Sequence, residues 1–269
     1  MYLSHLMIDI GSNPDRPRPG RLWLRNMYHV HQRLCMAFPS PERLVNDREF
    51  LKPYTPDDFP ESRYIADQKA DEVGAEALKH VHTPRNPKGG FLFRVDPLSG
   101  ASVAILVLSA TKPNWDYAFQ NALFLLAAPP SEPRPLQVDF EKGSAFRFRL
   151  AANPTKRLRK ESVHAKGDKI EEKWVGKRVP VPPDKWEEWL TRRAENSGFR
   201  VREITNLQAS YVYFNNRSTE RGTGQRLRSV RYDGILEVTD AEAFRKALIS
   251  GIGPAKAFGF GLLSLAKTM

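Results

Sequence analysis

An α+β fold in two tandem domains is what the sequence predicts, and three observations predict it. The chain has 269 residues, enough for about two domains at roughly 150 residues each. Short alternating strand-like segments are interleaved with helical ones, and the order of elements in the first half recurs in the second. A proline-rich stretch separates the halves, where Pro129, Pro130, Pro133 and Pro135 disfavour both helix and central strand. The boundary is therefore expected at 133/134, giving domains 1–133 and 134–269.

Residues 2–10 alternate apolar and polar side chains and end at Gly11-Ser12-Asn13-Pro14, which predicts a strand and a turn. Asn26 is placed to cap a helix over 27–38, in which Val30, Leu34, Ala37 and Phe38 recur at helical spacing before Pro39. Residues 52–90 carry Pro53, Pro56, Pro60, Pro84 and Pro87 around a more helical stretch and read as an insertion. Segments 91–95 and 102–109 are strand-like and joined by a hairpin signal, and an apolar segment over 115–128 follows. In the second half, 145–151 alternates as a strand, and Asp184 is expected to cap a helix carrying Trp186, Trp189, Leu190 and Arg193. Two strand-like segments follow at 199–204 and 209–214, then a strand at 227–238. Asp240 caps a helix through Phe244 and Leu248 to Gly251, and 261–266 closes as a strand. Each half thus reads βαββαβ, the order of a ferredoxin-like (RRM-like) domain, and two in tandem are the predicted architecture.

Hydrophobic residues at 41% and charged residues at 27% exclude wholesale disorder. The single cysteine, Cys35, cannot form an intramolecular disulfide, and no Cys/His cluster has zinc spacing, so no metal site is expected. No apolar run reaches the roughly 18 residues needed to cross a bilayer, and the first ten residues lack a basic n-region. A cytoplasmic protein with no membrane partner is the expectation. The net charge of +11 lies wholly in the second half: residues 1–133 hold 15 Lys+Arg against 15 Asp+Glu, and residues 134–269 hold 27 against 16. A fold needs no such imbalance, so a polyanionic partner for the second half is expected.

Two segments carry chemistry. Tyr28 and His31 are three residues apart, so on a helix they project from one face and can address one phosphate. Histidine can give or take a proton near neutral pH, which suits it to general acid or base work. His29 lies about 200° round the helix from His31, and the apolar stripe does not decide between the two. The second segment runs from Gly251 to Leu265, with Gly251, Gly253, Gly259 and Gly261 around Lys256. Glycines allow close backbone approach and expose peptide N–H groups that suit phosphates, while the spacing fits neither a Walker loop nor a dinucleotide fingerprint.

The helix 26–39, the stretch Arg147 to Lys156 and the glycine-rich block together resemble the CRISPR-associated endoribonucleases of the type I-E Cascade system, the CasE family. The resemblance covers residues 1–39 and 91–269. It implies two ferredoxin-like domains and metal-independent cleavage of CRISPR repeat RNA at the 3′ base of its hairpin, leaving a 2′,3′-cyclic phosphate and needing no cofactor. It also implies that the mature RNA stays bound and that the protein joins the other Cascade subunits. The family's spacing selects His31 as general acid, or as general base in the alternative assignment, with Tyr28 orienting the RNA or its phosphate. The glycines at 251, 253, 259 and 261 with Lys256, and the basic cluster Lys156, Arg157 and Arg159, become RNA contacts. A basic hairpin bearing Arg217, Arg221, Arg226 and Arg228 is expected to grip the RNA stem. Some family members place a lysine five residues after the histidine, where this chain has Met36. Lys256 or an arginine of the basic half must then supply that charge. A non-catalytic subunit that caps guide RNA is the alternative reading, and a metal-dependent nuclease is disfavoured because no tight Asp/Glu/His constellation is present.

Overall fold

The computed structural model of the chain describes residues 1–11, 19–39, 90–98, 100–120, 122–137, 139–159, 172–214 and 225–268. The insertion expected at 52–90 lies, up to residue 89, outside the described residues, as do Arg217 and Arg221. The chain divides into two compact units, one of Met1–Asp139, Val212–Arg226 and Lys256–Leu262, the other of Phe140–Tyr211, Leu227–Ala255 and Leu263–Met269.

The first unit is built on β1 (Tyr2–Asp9), α1 (Pro19–Leu24), α2 (Met27–Cys35), β2 (Phe91–Pro97), β3 (Ser102–Ser109), α3 (Trp115–Phe119) and β4 (Arg134–Pro135). Its antiparallel sheet runs β2-β3-β1-β4, the order of a ferredoxin-like domain, with Leu6 opposite Ile105 and Phe93 opposite Val107. Period-two alternation sends Leu6 and Ile8 of β1 and Phe93 of β2 to one face, where Val30 and Leu34 of α2 and Trp115 and Phe119 of α3 complete a buried core. Leu92, Leu108 and Leu262 close a smaller cluster.

In the second unit β5 (Ala145–Ala152), α4 (Trp186–Glu195), β8 (Phe199–Phe214), β9 (Gln225–Val238), α5 (Ala241–Ser250) and β10 (Leu263–Lys267) repeat the plan, with sheet order β10-β5-β9-β8, while the ends of β8 and β9 from Val212 and up to Arg226 belong to the first unit. Both sheets are therefore ferredoxin-like, as expected. The core of this unit includes Phe148, Leu150, Trp186, Leu190, Phe199, Tyr232, Leu236 and Phe244. Phe244 meets Phe140 and Phe199 edge-on at 4.7 and 5.5 Å between ring centres, and the Tyr232 hydroxyl donates to the Trp186 carbonyl at 3.1 Å. A separate two-stranded sheet pairs β6 (Thr155–Arg157) with β7 (Arg178–Pro180).

Asn26 caps α2, its side chain accepting from the Tyr28 amide, and Asp240 caps α5, accepting from the amides of Glu242 and Ala243. Five boundaries differ from expectation for identifiable reasons. The helix from Met27 ends at Cys35, not Phe38: ahead of Pro39 the turn tightens, and Met36, Ala37 and Phe38 donate to the carbonyls three residues back. Asp184 does not cap α4; it sits in the one-turn 3-10 segment Pro183–Lys185, whose N-terminal proline fixes the entry, and Lys185 takes the cap position. The segments at 199–204 and 209–214 are one strand, β8, because the intervening polar residues stay on the ladder beside β9. Over 115–128 the chain forms α3 and a 3-10 turn at Leu123–Leu125 rather than one element. The last strand starts at Leu263 because Gly261 has φ of 89°, which strand pairing does not accept.

Candidate active site and nucleic-acid interface

The α2 helix carries both chemical candidates. Tyr28 and His31 are half-buried and one turn apart, whereas Val30 and Leu34 are fully buried in the core. The His31 ring lies 5.4 Å from the Phe91 ring and stacks on Phe93 at 6.2 Å and 22°. Phe91 in turn stacks on Phe38 at 5.2 Å. Nε2 of His31 sits 3.6 Å from Cys35 Sγ, one turn further along α2. The imidazole is thus fixed in plane by β2 and at its edge by its own helix. His29 makes a different contact, its Nε2 meeting the Asn26 amide nitrogen at 3.1 Å beside the helix cap. Phe91, Phe93 and Cys35 are the neighbours that sequence reasoning did not single out. The alternation of β2 was the available signal, since it puts residues 91 and 93 on the helix side of the sheet.

The glycine-rich block contributes to both units, Gly251–Ala255 to the second and Lys256–Leu262 to the first. Within the first unit, the 3-10 turn Lys256–Phe258 packs against α2 and β2. Gly251, Gly253, Gly259 and Gly261 all have positive φ, from 78° to 89°. At Gly259 the need for glycine is also spatial, because a Cβ there would stand 3.3 Å from Phe93 Cε2. The strand the segment packs against, β2, is the edge strand of its sheet. On the far face the Arg94 guanidinium holds both oxygens of Asp96 at 2.7 and 2.8 Å and reaches the Leu262 carbonyl at 3.5 Å. Arg94 is only 4% exposed. The aromatic ring bearing on His31 and the glycine that permits it are therefore locked to one strand.

Met36 is fully buried in the core of the first unit. No cation can occupy that position without being taken out of water, whereas Lys256 is half-buried on the turn that packs against α2. Among the described residues no group of three or more His, Cys, Asp or Glu is arranged to hold a metal ion.

The basic residues fall in two places. Lys156, Arg157 and Arg159 are exposed on or beside β6, where Arg157 Nε donates to the Gly176 carbonyl at 2.9 Å. Arg226 is exposed at the start of β9, while Arg228 is half-buried: it donates to the Tyr211 hydroxyl at 2.8 Å and lies over the Tyr211 and Trp186 rings. β8 and β9, of 16 and 14 residues, are the two longest described strands, and they flank residues 215–224.

A family model described as CRISPR associated protein matches residues 75–267. The chain belongs to that family. Among curated proteins, the CRISPR-associated endoribonuclease Cse3 of Thermus thermophilus is 32% identical over 185 residues, covering 65% of this chain and 79% of the relative. The CRISPR system Cascade subunit CasE of Escherichia coli is 27% identical over 271 residues, covering 99% of each. A solved structure of Thermus thermophilus Cse3 bound to an RNA representing a pre-cleavage complex superposes with a TM-score of 0.60 at 25% identity, over 99% of this chain and 100% of the other. This CRISPR-associated chain therefore shares its family, both its ferredoxin-like domains and their order with RNA-bound relatives. No helix of the described residues is long and apolar enough to cross a membrane.

Proposed function

We infer that this chain is a CRISPR RNA-processing endoribonuclease of the CasE type and a subunit of Cascade. Its substrate is the repeat hairpin in the precursor transcript, and its product is the guide RNA, which it keeps. The observation that carries the reading is local to the first unit: Tyr28 and His31 share one face of α2, and the Lys256–Phe258 turn packs against that helix.

In the proposed reaction the 2′-hydroxyl of the nucleotide 5′ to the break attacks the adjacent phosphorus. The P–O5′ bond breaks, leaving a 2′,3′-cyclic phosphate and a 5′-hydroxyl. His31 transfers the proton, as acid to the leaving oxygen or as base from the attacking one; Tyr28 orients the phosphate through its hydroxyl. No metal is needed for this proton traffic. Lys256, rather than residue 36, faces the charge that develops on the phosphoryl oxygens. Gly251, Gly253, Gly259 and Gly261 present backbone to the RNA, Lys156, Arg157 and Arg159 contact its phosphates, and Arg217, Arg221, Arg226 and Arg228 grip its stem. A first domain at 1–133 that carries Tyr28 and His31, and a second at 134–269 that supplies Lys256 and most of the grip, are part of this proposal, as is a cytoplasmic location.

Single-turnover cleavage of a repeat hairpin RNA in excess chelator tests it, with wild type and His31→Ala compared and binding followed on a 2′-deoxy substrate. The expected result is chelator-resistant cleavage by wild type and none by His31→Ala at equal affinity. Tight binding with cleavage by neither protein would instead support a subunit that only caps guide RNA.

A further inference from the structure

The β6–β7 sheet stands apart from the four-stranded sheet of the second unit. Three residues pair with three, Thr155 opposite Pro180, Lys156 opposite Val179 and Arg157 opposite Arg178. It is tied to the unit through backbone oxygens: the Trp189 indole donates to the Thr155 carbonyl at 3.2 Å, and the Val181 amide to the Pro154 carbonyl at 3.0 Å. Leu158 and Lys177, and Gly176 and Leu158, close the pair with bonds of 2.9 Å each. The 3-10 turn Glu172–Trp174, just before β7, presents an exposed indole beside this small sheet. Trp174 is 41% exposed, whereas Trp186 and Trp189 of the same unit are buried at 6% and 8%. The Lys177 ammonium lies 4.5 Å from the Trp174 ring centre.

Around that ring the described residues 153–159 and 172–180 hold six exposed cations, Lys156, Arg157, Arg159, Lys173, Lys177 and Arg178, against one acid, Glu172. Cations alone would suit any polyanion. The indole narrows the class, because an exposed aromatic face gains by stacking an unpaired base, and the bases of an A-form stem are already stacked on one another. Lys177 lies over one face of the ring, which leaves the other face for a base and sets the ammonium beside the phosphates that run past.

We propose that the β6–β7 sheet, with Trp174 as its stacking platform and Lys177 and Arg178 beside it, is a binding site for single-stranded RNA. It engages the unpaired stretch that flanks the repeat hairpin in the transcript. The proposal rests on the RNA-processing function above and adds a second contact to it: the hairpin is held elsewhere, and Trp174 senses whether a strand continues beyond it. Lys156, Arg157 and Arg159 then serve this strand rather than the stem.

The test measures binding of the full chain to three RNAs: the bare hairpin, the hairpin with single-stranded flanks, and an oligouridylate of about 12 nucleotides. Wild type is compared with Trp174→Ala, Trp174→Phe and Lys177→Gln. Trp174→Ala should lose about five- to hundredfold in affinity for the flanked RNA and for oligouridylate, the range of a base–aromatic stack. Its affinity for the bare hairpin, its rate of hairpin cleavage and its melting temperature should match wild type. Trp174→Phe should recover most of the loss. Quenching of tryptophan fluorescence by oligouridylate should vanish in Trp174→Ala, since three of the other four tryptophans are buried and Trp23 is packed against the core of the first unit. Equal binding of flanked RNA by Trp174→Ala and wild type would overturn the proposal. So would an equal loss on bare and flanked hairpins, or a loss only of assembly with a protein subunit. A wild-type chain that fails to cleave the hairpin would count against the endoribonuclease reading alone, because the oligouridylate comparison decides the Trp174 site without it.

Discussion

Gly259→Ala tests whether the glycine-rich segment acts through the ring stack on His31. Two costs arise from the structure. Gly259 has φ of 83°, and an alanine held in that region loses roughly 1–2 kcal/mol. Its Cβ would also meet Phe93 Cε2 at 3.3 Å, a contact the ring relieves only by shifting a few tenths of an ångström. Phe93 is fully buried and stacked on His31, so such overpacking adds about 1–3 kcal/mol and moves the imbalance onto the imidazole. Gly143→Ala is the control: φ is 90°, the residue is exposed, and a Cβ there meets nothing within 4 Å. Gly143→Ala should lower the melting temperature by roughly 2–8 °C and leave cleavage unchanged. Gly259→Ala should fall further and cleave more slowly at saturating RNA in single turnover. Equal melting temperatures with wild-type cleavage in both variants would refute the reasoning, because neither the contact nor its link to His31 would then matter.

Arg94→Met should cost about 3 kcal/mol or more, because it strands Asp96 beside a buried site, and Arg94→Met with Asp96→Leu should recover part of the loss in a denaturant titration. Hydrogen bonds from Arg200 and Arg202 hold the Glu237 carboxyl below its ordinary range; that stabilisation is complete above the ordinary value and lost as pH falls through the lowered one. The melting deficit of Arg200→Gln with Arg202→Gln at neutral pH should therefore shrink below about pH 4. Burial, aided by the Glu187 charge, raises the Tyr232 phenol above the ordinary tyrosine range, so stability is intact below that range and falls as pH rises above it. Tyr232→Phe should melt lower at neutral pH, having lost its bond to the Trp186 carbonyl, yet lose less on going alkaline. Lys256→Gln should slow single-turnover cleavage about a hundredfold or more with hairpin affinity far less affected, the magnitude typical of losing one transition-state charge partner.

Much of the fold was legible because local signals and topology agree. Asn26 and Asp240 cap the helices they were expected to cap, two-residue alternation located β1 and β5, and strand-like composition located β2, β3 and β9. Misreadings occurred where backbone chemistry overrode side-chain periodicity. Apolar residues at Ala37 and Phe38 continue the stripe of α2, but the following proline turns their amides to bonds three residues back. Asp184 has the right chemistry for a cap, yet Pro183 starts a 3-10 turn before it. The mostly polar run 205–208 looks like a break between strands, and only the pairing with β9 makes it one strand. At the site, the spacing of Tyr28 and His31 was visible from helical geometry, while the rings of Phe91 and Phe93 against His31 depend on contacts across about 60 residues of chain, which no local pattern encodes.

Met36 shows why spacing alone misleads about charge. Counted along an ideal helix, residue 36 follows His31 by five positions, about 140° round the axis, but Tyr28 by eight, about 80°, so a long lysine there could reach a phosphate held beside Tyr28. The helix has already ended at Cys35, and in the tightened turn the Met36 side chain points into the core with no exposure. A lysine there must either drag its ammonium out of water, at several kcal/mol, or unwind the turn that places Phe38 on Phe91. Met36→Lys is therefore expected to melt well below wild type and not to rescue Lys256→Gln. A variant that melted normally and cleaved faster would mean that this turn opens when RNA binds and that position 36 faces the phosphate after all.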